Sequence, residues 1–357
     1  MVETYGEGYR VMPDTYVLPE DRKHLIENWG EDITWIVKPI RGSNGRGIYL
    51  TKDKENLPER CVVQKYVNNP YLINGVKFDL RIYVLVTNFC PIVAYIYSDG
   101  LVRFATNPYT MDNSNKFCHL TNYSLNSKNK VYKAPQDADS IEGQKWRLET
   151  LWKYLQSRDI DVEPIKESIK DAVRKTLVAG EHRMKMFFKN PKVRYYDILG
   201  IDILLDSDLK PWVLEVNVNP RLLCSSAVDE CVKEPLLKEA LNIVGYPAGY
   251  RPMKLIKSEG DARPDPSLLL SFVRFAEENT RLKKFELILP SPFYPSSLSL
   301  TLFDQWSDSW HVRPAETLEE LNKLCGSMFL RAPKTNPSYP AIHSRILKSL
   351  RKISKSK

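Results

Sequence analysis

The segment from 197 to 220 constrains the fold most, because it reads as two apolar strands joined by a short polar turn. The strands are "DILGIDILLD" and "PWVLEVNV", and the turn is "DSDLK". A turn centred within that linker places Asp202 roughly opposite Glu215, while Asn217 projects from the same face as Glu215. A buried carboxylate costs several kcal/mol unless a partner pairs with it. We therefore expect a β-hairpin whose carboxylates meet a cation.

The three polar residues of this hairpin, Asp202, Glu215 and Asn217, offer two carboxylates and an amide oxygen. Mg²⁺ prefers hard oxygen ligands of this kind, and a divalent cation relieves the repulsion between two close carboxylates. A structural hydrogen-bond cluster, or a register in which these side chains point apart, is the other interpretation. Because both carboxylates interrupt apolar strands, the sequence favours a metal site.

A second strand, "FDLRIYVLVT" (78–87), alternates between apolar and polar positions. Its apolar face carries Phe78, Leu80, Ile82, Val84 and Val86. The opposite face carries Lys77, Asp79 and Arg81. Three such residues in register indicate a surface that faces phosphate and ribose groups.

The segment "PIVAYIYSDGLVRFAT" follows, and it predicts a hairpin with Ser98-Asp99-Gly100 as the turn. Arg103 lies in the second strand of that predicted hairpin. There it would extend the cationic surface of the preceding strand.

A glycine-rich loop, "IRGSNGR", lies between two predicted strands at 35–39 and 47–50. Its glycines are Gly42, Gly45 and the following Gly47. Glycines allow backbone N–H groups to approach phosphate oxygens closely, and Lys38 enters the loop as a fixed cation. The loop is not a Walker A motif, since no GK[ST] follows, and the HRD and DFG motifs of a kinase are missing. A third strand is predicted at 61–67.

Composition excludes several classes of protein. The 357 residues are 43% hydrophobic and 27% charged, which is ordinary for a globular chain. No apolar run reaches the length of a spanning helix, and the N-terminus lacks the form of a signal peptide. Six scattered cysteines without a CxxC pair indicate reduced thiols in the cytosol, and five histidines without HExxH argue against a zinc hydrolase.

The formal net charge of +8 suits nucleic acid, an anionic membrane or an acidic protein, although a basic chain needs no polyanionic partner. No zinc finger, helix-turn-helix or RNP pattern supports nucleic acid. We therefore expect neither nucleic acid nor a membrane as the partner.

Helical periodicity appears between 141 and 180, where two amphipathic helices are predicted. Their apolar positions are Trp146, Leu148, Leu151 and Leu155, then Ile165, Ile169, Val173 and Leu177. Another helix is predicted from about 228 to 244. Beyond a Pro-rich boundary after Tyr246, helical stretches are expected near 268–284 and 316–330, before a basic tail that starts at His343.

A strand-borne lysine, a glycine loop and a distant Asp…Glu-x-Asn set together indicate an α+β, ATP-grasp fold, in which two lobes sandwich ATP and Mg²⁺ bridges its phosphates. We expect a small lobe with the glycine-rich loop at 35–68 and a large lobe with the metal site at 69–247. Residues 248–357 are expected to form a mostly helical extension with a basic tail.

Several segments resemble the tubulin tyrosine ligase-like family from about Pro13 to Tyr246. They are "WIVKP", "GRGIYL", "QKYVNNPYLINGVKFDLRIYVLVT", "DGLVRFAT", "HLTNYS" and "GIDILLD…LKPWVLEVNVNP". "KFDLRIYVLVT" and "LKPWVLEVN" are most similar to the polyglutamylases of that family. The resemblance implies that 1–34 is the remnant of the family's N-terminal domain.

The resemblance also implies roles for individual residues. The phosphates would be held by Lys38, Arg41, Gly42, Gly45, Arg46 and Gly47. The adenine pocket would be lined by Gln64, Lys65, Tyr66 and Val67, with Lys77 near the nucleotide and Asp79 at the ribose. Arg81 and Arg103 would be catalytic, facing the γ-phosphate and the reacting carboxylates. Thr121 and Asn122 would close the nucleotide site beside His119, and Asp202, Glu215 and Asn217 would bind Mg²⁺.

The implied activity is ATP-dependent polyglutamylation. Free glutamate would be ligated by an isopeptide bond to glutamate side chains of tubulin tails, through an acyl phosphate. A monomer in the cytoplasm, on the cytoskeleton and at a cilium or basal body, is the corresponding expectation. An inactive microtubule-binding module, a glycylase and a small-molecule ligase are the alternatives.

One motif departs from the glutamylase pattern, which often reads Ser-Pro-Ser after the Glu-x-Asn-x step. Here Asn219 and Arg221 flank the proline. Arg221 could pair with an incoming carboxylate or lie at the surface. This departure could change the choice of acceptor or amino acid.

Overall fold

The computed structural model describes residues 6–42, 45–89, 92–112, 115–185, 195–245 and 278–289. The chain divides into two compact units. The first comprises Met1–Val84, Ile96–Ala179 and Ile198–Leu236, and the second takes the described parts of Leu85–Tyr95, Gly180–Asp197 and Leu237–Lys357. All the residues of the candidate site lie in the first unit.

A four-stranded antiparallel sheet opens the first unit. Its strands are β1 (Thr15–Val17), β2 (Trp35–Pro39), β3 (Tyr49–Thr51) and β4 (Cys61–Lys65), in the order β1-β4-β2-β3. One face buries alternate residues of the strands, and Leu18 and Leu25 pack against Trp35, Val37 and Val63. A helix at Arg22–Glu27 contributes Leu25 to this core. The sequence predicted β2 with these bounds, whereas β3 begins two residues later than expected.

A larger sheet carries most of the polar residues singled out in the sequence. Its strands are β5 (Leu72–Ile73), β6 (Val76–Phe89), β7 (Ile92–Phe104), β8 (Lys145–Arg147), β9 (Asp197–Leu205) and β10 (Pro211–Asn217). In the first unit they follow the order β10-β9-β6-β7, with β5 paired to β6 and β8 paired to β7. Both faces of β6 are largely buried, and Lys77 and Asp79 on its polar face are among the buried residues.

The predicted turn at Ser98-Asp99-Gly100 is wrong, because β7 runs unbroken from Ile92 to Phe104. Instead of turning the chain, the Asp99 carboxylate accepts hydrogen bonds from the Gly100 N–H and from Arg147 Nε. Gly100 leaves room for a neighbouring strand, since a Cβ there would lie 2.5 Å from the Arg81 carbonyl oxygen. These long-range contacts override the local turn preference.

Five more helices of the described residues lie wholly or partly in the first unit. They span Lys116–His119, Tyr123–Asn126, Leu148–Gln156, Glu163–Lys185 and Ala227–Val244. The two predicted amphipathic helices are confirmed, except that Trp146 lies in β8 and not in a helix. The helix expected at 228–244 is confirmed to within one residue.

The second unit contains the remainder of β6 and β7 and a strand β11 (Phe285–Leu289) that lies next to β7. Within it, Glu278 accepts hydrogen bonds from Thr87 and Tyr95. The helix expected at 316–330, the basic tail and most of the stretch at 268–284 lie outside the described residues. In the part of the chain that the structure describes, no helix combines the length and apolar character needed to cross a membrane.

Candidate active site

A cleft in the first unit collects most of the predicted site residues. It is lined by Ile36, Lys38, Ile48, Gln64, Lys65, Tyr66, Val67, Lys77, Asp79, Arg103, His119, Leu120, Thr121, Asn122, Asp202, Leu204, Leu214 and Glu215. We call the part formed by Asp79, Arg103, Asp202 and Glu215, together with Arg81 that is bound to Asp202 beside the cleft, the charged half. The part formed by Ile36, Tyr66, Lys77, His119 and Leu120 is the apolar half.

The hairpin that opened the sequence argument has the predicted register. Asp202 on β9 is the partner of Glu215 on β10, and Asn217 is the partner of Gly200. The register shifts between Val213 and Glu215, which marks an irregularity of the bulge type that re-aims side chains. The alternative register, in which the carboxylates point apart, is therefore wrong.

Two arginines bind the Asp202 carboxylate. Arg81 donates to both of its oxygens, with 3.0 Å from Nη2 to Oδ2, and Arg103 Nη2 lies 2.7 Å from the same Oδ2. Arg103 also donates to both oxygens of Asp79. Burial by itself raises the pKa of Asp202, but the guanidinium groups of Arg103 and Arg81 outweigh it and hold that pKa well below its usual range.

Glu215 has the opposite shift. Exclusion of solvent raises the pKa of its carboxyl, and the negative charge of Asp202 raises it further. Its Oε1 accepts a 3.0 Å hydrogen bond from Asn217 Nδ2, which also donates to the Gly200 carbonyl at 3.2 Å. Glu215 is thus a carboxylate held beside another carboxylate, and no arginine of the described residues is bonded to it.

This donor set fits a hard divalent cation. A carboxylate whose ionisation is suppressed by a neighbouring carboxylate gains most from an added positive charge. Among the described residues, no three His, Cys, Asp or Glu side chains form a metal cluster. The trio of Asp202, Glu215 and Asn217 consists of two carboxylates and an amide, so the metal role stays a prediction.

Lys38 reaches the cleft from β2. Its Nζ donates to Gln64 Oε1 at 2.8 Å and to the Leu214 carbonyl at 3.2 Å. Gln64 Nε2 in turn donates to Thr15 Oγ1 at 2.8 Å, so the Gln64 carboxamide fixes the Lys38 ammonium. Burial lowers the pKa of Lys38, against the attraction of Glu215 and Asp202.

Lys77 reaches the cleft from β6 and is almost fully buried. Its Nζ donates to the Tyr66 hydroxyl at 2.8 Å and lies 4.4 Å from the centre of the Tyr66 ring. Burial lowers the pKa of Lys77 to about 7, and the charge of Asp79 opposes that shift only in part. The ribose role of Asp79 stays a prediction, and both of its oxygens accept from Arg103.

Some of the predicted site residues do not line the cleft itself. They are Arg41, Gly42, Gly45, Arg46, Gly47, Arg81 and Asn217. The glycine loop nevertheless approaches it, because a Cβ on Gly45 would lie 2.7 Å from Asn122 Oδ1. Gly45 and Gly47 both have positive φ, at 72° and 73°, a conformation that favours glycine.

The apolar lining of the cleft and the role of one glycine were not predicted from the sequence. Ile36, Ile48, Leu120, Leu204 and Leu214 line the cleft. Ile36 lies two residues before Lys38, and Leu204 two after Asp202, so the period of a strand could have found both. Gly200 makes room for Arg81, since a Cβ there would lie 3.0 Å from Arg81 Cδ, and a glycine inside an apolar strand is the signal for such an approach.

Buried lysines, paired arginines and close carboxylates meet at one cleft, and such groups are suited to phosphate and carboxylate ligands. The sequence profile of the Tubulin-tyrosine ligase family matches residues 1–251, and the chain belongs to that family. The predicted resemblance is confirmed by this match.

Similar proteins carry glutamylase names. Tubulin monoglutamylase TTLL4 of Mus musculus is 42% identical over 249 residues, covering 67% of this chain and 21% of that protein. Tubulin polyglutamylase TTLL5 of Homo sapiens is 35% identical over 257 residues, covering 69% and 20%. Tubulin polyglutamylase ttll-4 of Caenorhabditis elegans is 37% identical over 276 residues, covering 73% and 45%. The chain spans less than half the length of each of these relatives.

Proposed function

We propose that this chain is an ATP- and Mg²⁺-dependent ligase of the ATP-grasp type that joins free glutamate to glutamate side chains of tubulin tails. One observation carries the proposal: Asp202, Glu215, Arg81 and Arg103 converge at a cleft that Lys38 and Lys77 also enter. The similarity to proteins named tubulin monoglutamylase and tubulin polyglutamylase supports the choice of donor and acceptor.

The first step must activate a carboxylate, which is a poor electrophile. An oxygen of the acceptor carboxylate attacks the γ-phosphorus of ATP, the bond to the bridging oxygen breaks, and ADP leaves. Lys38, Arg81 and Arg103 offset the negative charge on the transferring phosphoryl group. Arg81 and Arg103 suit this role because both are already fixed against Asp202 and require little reorganisation.

The second step forms the isopeptide bond. The amine of free glutamate, after releasing one proton to solvent, attacks the acyl carbon. The bond from that carbon to the phosphate oxygen breaks, phosphate leaves with the electron pair, and the nitrogen loses its second proton as the amide forms. No covalent enzyme nucleophile is needed for either step. The excess of basic residues favours an acidic tail as the acceptor through long-range attraction.

Asp202, Glu215 and Asn217 would hold Mg²⁺, as their oxygen donors fit such an ion. When bound, the ion would neutralise charge on the phosphates. The glycines of the loop would hold the phosphates, with Asn122 next to Gly45 and Thr121 closing the nucleotide site, while Gln64 to Val67 would line the adenine pocket. A location on the cytoskeleton, and at a cilium or basal body, belongs to the same proposal.

The test is incubation of the full chain with ATP, MgCl₂, microtubules and isotope-labelled glutamate, with glycine and tyrosine in parallel reactions. Intact-mass spectrometry of tubulin reports which amino acid is added. We expect additions of the mass of glutamate, and a loss of at least about a hundredfold in Glu215→Gln, because an amide weakens the metal site while keeping the packing.

The matched control is Glu142→Gln, the same change at an exposed position outside the cleft. It should ligate glutamate like the unaltered chain. Full ligation activity of Glu215→Gln would contradict the assignment of Glu215 as a Mg²⁺ ligand. Addition of glycine alone would show that the donor amino acid is glycine and not glutamate. Co-sedimentation with microtubules without addition of any amino acid would favour the alternative of an inactive microtubule-binding module.

A further inference from the structure

Three buried side chains of the apolar half form one hydrogen-bonded series, which we call the His119 relay. Lys77 Nζ donates to the Tyr66 hydroxyl at 2.8 Å, the Tyr66 hydroxyl lies 2.9 Å from His119 Nδ1, and His119 Nε2 lies 2.8 Å from the Asp112 carbonyl oxygen. Each of the three side chains is at most 5% exposed. The relay therefore lies away from solvent, where hydrogen bonds are hard to replace.

With a neutral His119 imidazole, only one direction is possible for each bond of the relay. A carbonyl oxygen only accepts, so His119 Nε2 carries the proton and Nδ1 offers a lone pair. Tyr66 must then donate to Nδ1, so that its oxygen accepts from Lys77. The Tyr109 side chain also interacts with the Tyr66 hydroxyl. The relay needs a neutral imidazole, and burial lowers the pKa of His119, against the opposing hydrogen bond to Asp112.

The His119 relay fixes the position of the Lys77 amine. Among the hydrogen bonds of the described residues, the Tyr66 hydroxyl is the partner of Lys77 Nζ. Asp79 attracts the same amine, yet both of its oxygens accept from Arg103. Without the Tyr66 hydroxyl, the lysine would lose the contact that keeps it at the apolar wall of the cleft.

We propose that His119 is a positioning residue for nucleotide binding: it orients the Tyr66 hydroxyl, which fixes the Lys77 amine toward the bound nucleotide. This inference rests on the proposed function, since it requires that the cleft binds ATP. His119 itself lies behind Tyr66 in the series and acts on the ligand through Tyr66 and Lys77. Its effect therefore falls on nucleotide affinity more than on the chemical steps.

The experiment measures the Kd of the full chain for ADP with MgCl₂ by calorimetry, independently of ligation. We expect His119→Leu to weaken ADP binding roughly fivefold to tenfold, the value of one buried hydrogen bond. Tyr66→Phe should weaken it equally. The double variant should be no weaker than either single variant, because both changes break one series.

Two variants separate positioning from general damage. His119→Asn places an acceptor oxygen near the position of Nδ1 and should recover most of the affinity that His119→Leu loses. His24→Leu makes the same change at an exposed site on the helix Arg22–Glu27 and should bind ADP normally. In ligation assays, His119→Leu should raise the KM for ATP more than it lowers kcat and leave the KM for glutamate unchanged.

The outcomes distinguish this inference from the proposed function. Failure of the unaltered chain to bind ADP would overturn both. If the unaltered chain binds ADP and Tyr66→Phe binds it equally well, the relay is wrong while the ligase proposal stands, even if His119→Leu fails to fold. Additive losses in the double variant, or a His119→Asn as weak as His119→Leu, would also overturn the relay.

Discussion

The two halves of the cleft keep buried polar groups stable in different ways. In the charged half, opposite full charges meet: Arg103 binds both Asp79 and Asp202, and Arg81 binds Asp202 again. In the apolar half, a single cation, Lys77, is held by a hydroxyl and an aromatic ring. Removing a partner should therefore be costly in the charged half, whereas removing the cation should relieve a cost in the apolar half.

The largest effect tests the charged half. Arg103→Met leaves two buried carboxylates with one less cation, and we expect the free energy of unfolding to fall by about 3–5 kcal/mol. Urea unfolding followed by circular dichroism measures the loss. Arg60→Met, the same change at an exposed position, should fall within about 0.5 kcal/mol of the unaltered chain. A loss as small as that for Arg103→Met would show that the ion pairs do not stabilise this half.

The second prediction is a variant with a higher free energy of unfolding than the unaltered chain. Lys77→Met should raise the free energy of unfolding by a few kcal/mol at pH 7 while weakening ADP binding roughly tenfold or more, because a charged donor is lost. Lys52→Met, at an exposed position, is the control. A less stable Lys77→Met would contradict the contrast between the halves.

The pH dependence of this gain follows from the lowered pKa of Lys77. The unfolded chain keeps the proton up to about pH 10.5, whereas the folded chain releases it at about 7. Between these values the unfolded state binds more protons, so Lys77 makes stability rise with pH. The advantage of Lys77→Met should therefore be largest at pH 7 and below and shrink toward pH 10, as urea unfolding at pH 7 and 9 would show. A gain that does not change with pH would contradict this assignment.

The smallest effect concerns the glycine loop. Gly45→Ala and Gly75→Ala both place a side chain at positive φ, at a cost of about 1–2 kcal/mol. Only at Gly45 would the new Cβ meet Asn122; at Gly75 nothing lies within 4 Å. We expect similar losses of stability but a severalfold weaker ADP affinity in Gly45→Ala alone. Equal affinities by calorimetry would show that the loop's approach to Asn122 is irrelevant to the nucleotide.

The charged half was easier to predict from sequence than the apolar half. A carboxylate inside an apolar strand is conspicuous, and the short turn sets the register that pairs Asp202 with Glu215. The register shift between Val213 and Glu215 has no comparable signal in the sequence. The His119 relay joins residues 11 and 53 positions apart, and nothing local to Tyr66 indicates its partners.

The turn predicted at Ser98-Asp99-Gly100 was also wrong because of contacts between residues far apart in the sequence. Local turn chemistry is a property of a few adjacent residues, whereas the Asp99 carboxylate is bound by Arg147, 48 residues further on. The domain boundaries expected at 34, 68 and 247 stay predictions.

Strand β6 presents Lys77 to the apolar half and Arg81 to the charged half, with Asp79 between them. Four residues of strand span about 13 Å, so the strand fixes the distance between Lys77 and Arg81 along the cleft. A change of one residue in its length would turn every later side chain to the other face of the sheet. Over evolutionary time, a single insertion or deletion between Lys77 and Arg81 would therefore need a compensating bulge. A pair would keep the faces but move the two cations apart or together by one two-residue repeat of the strand.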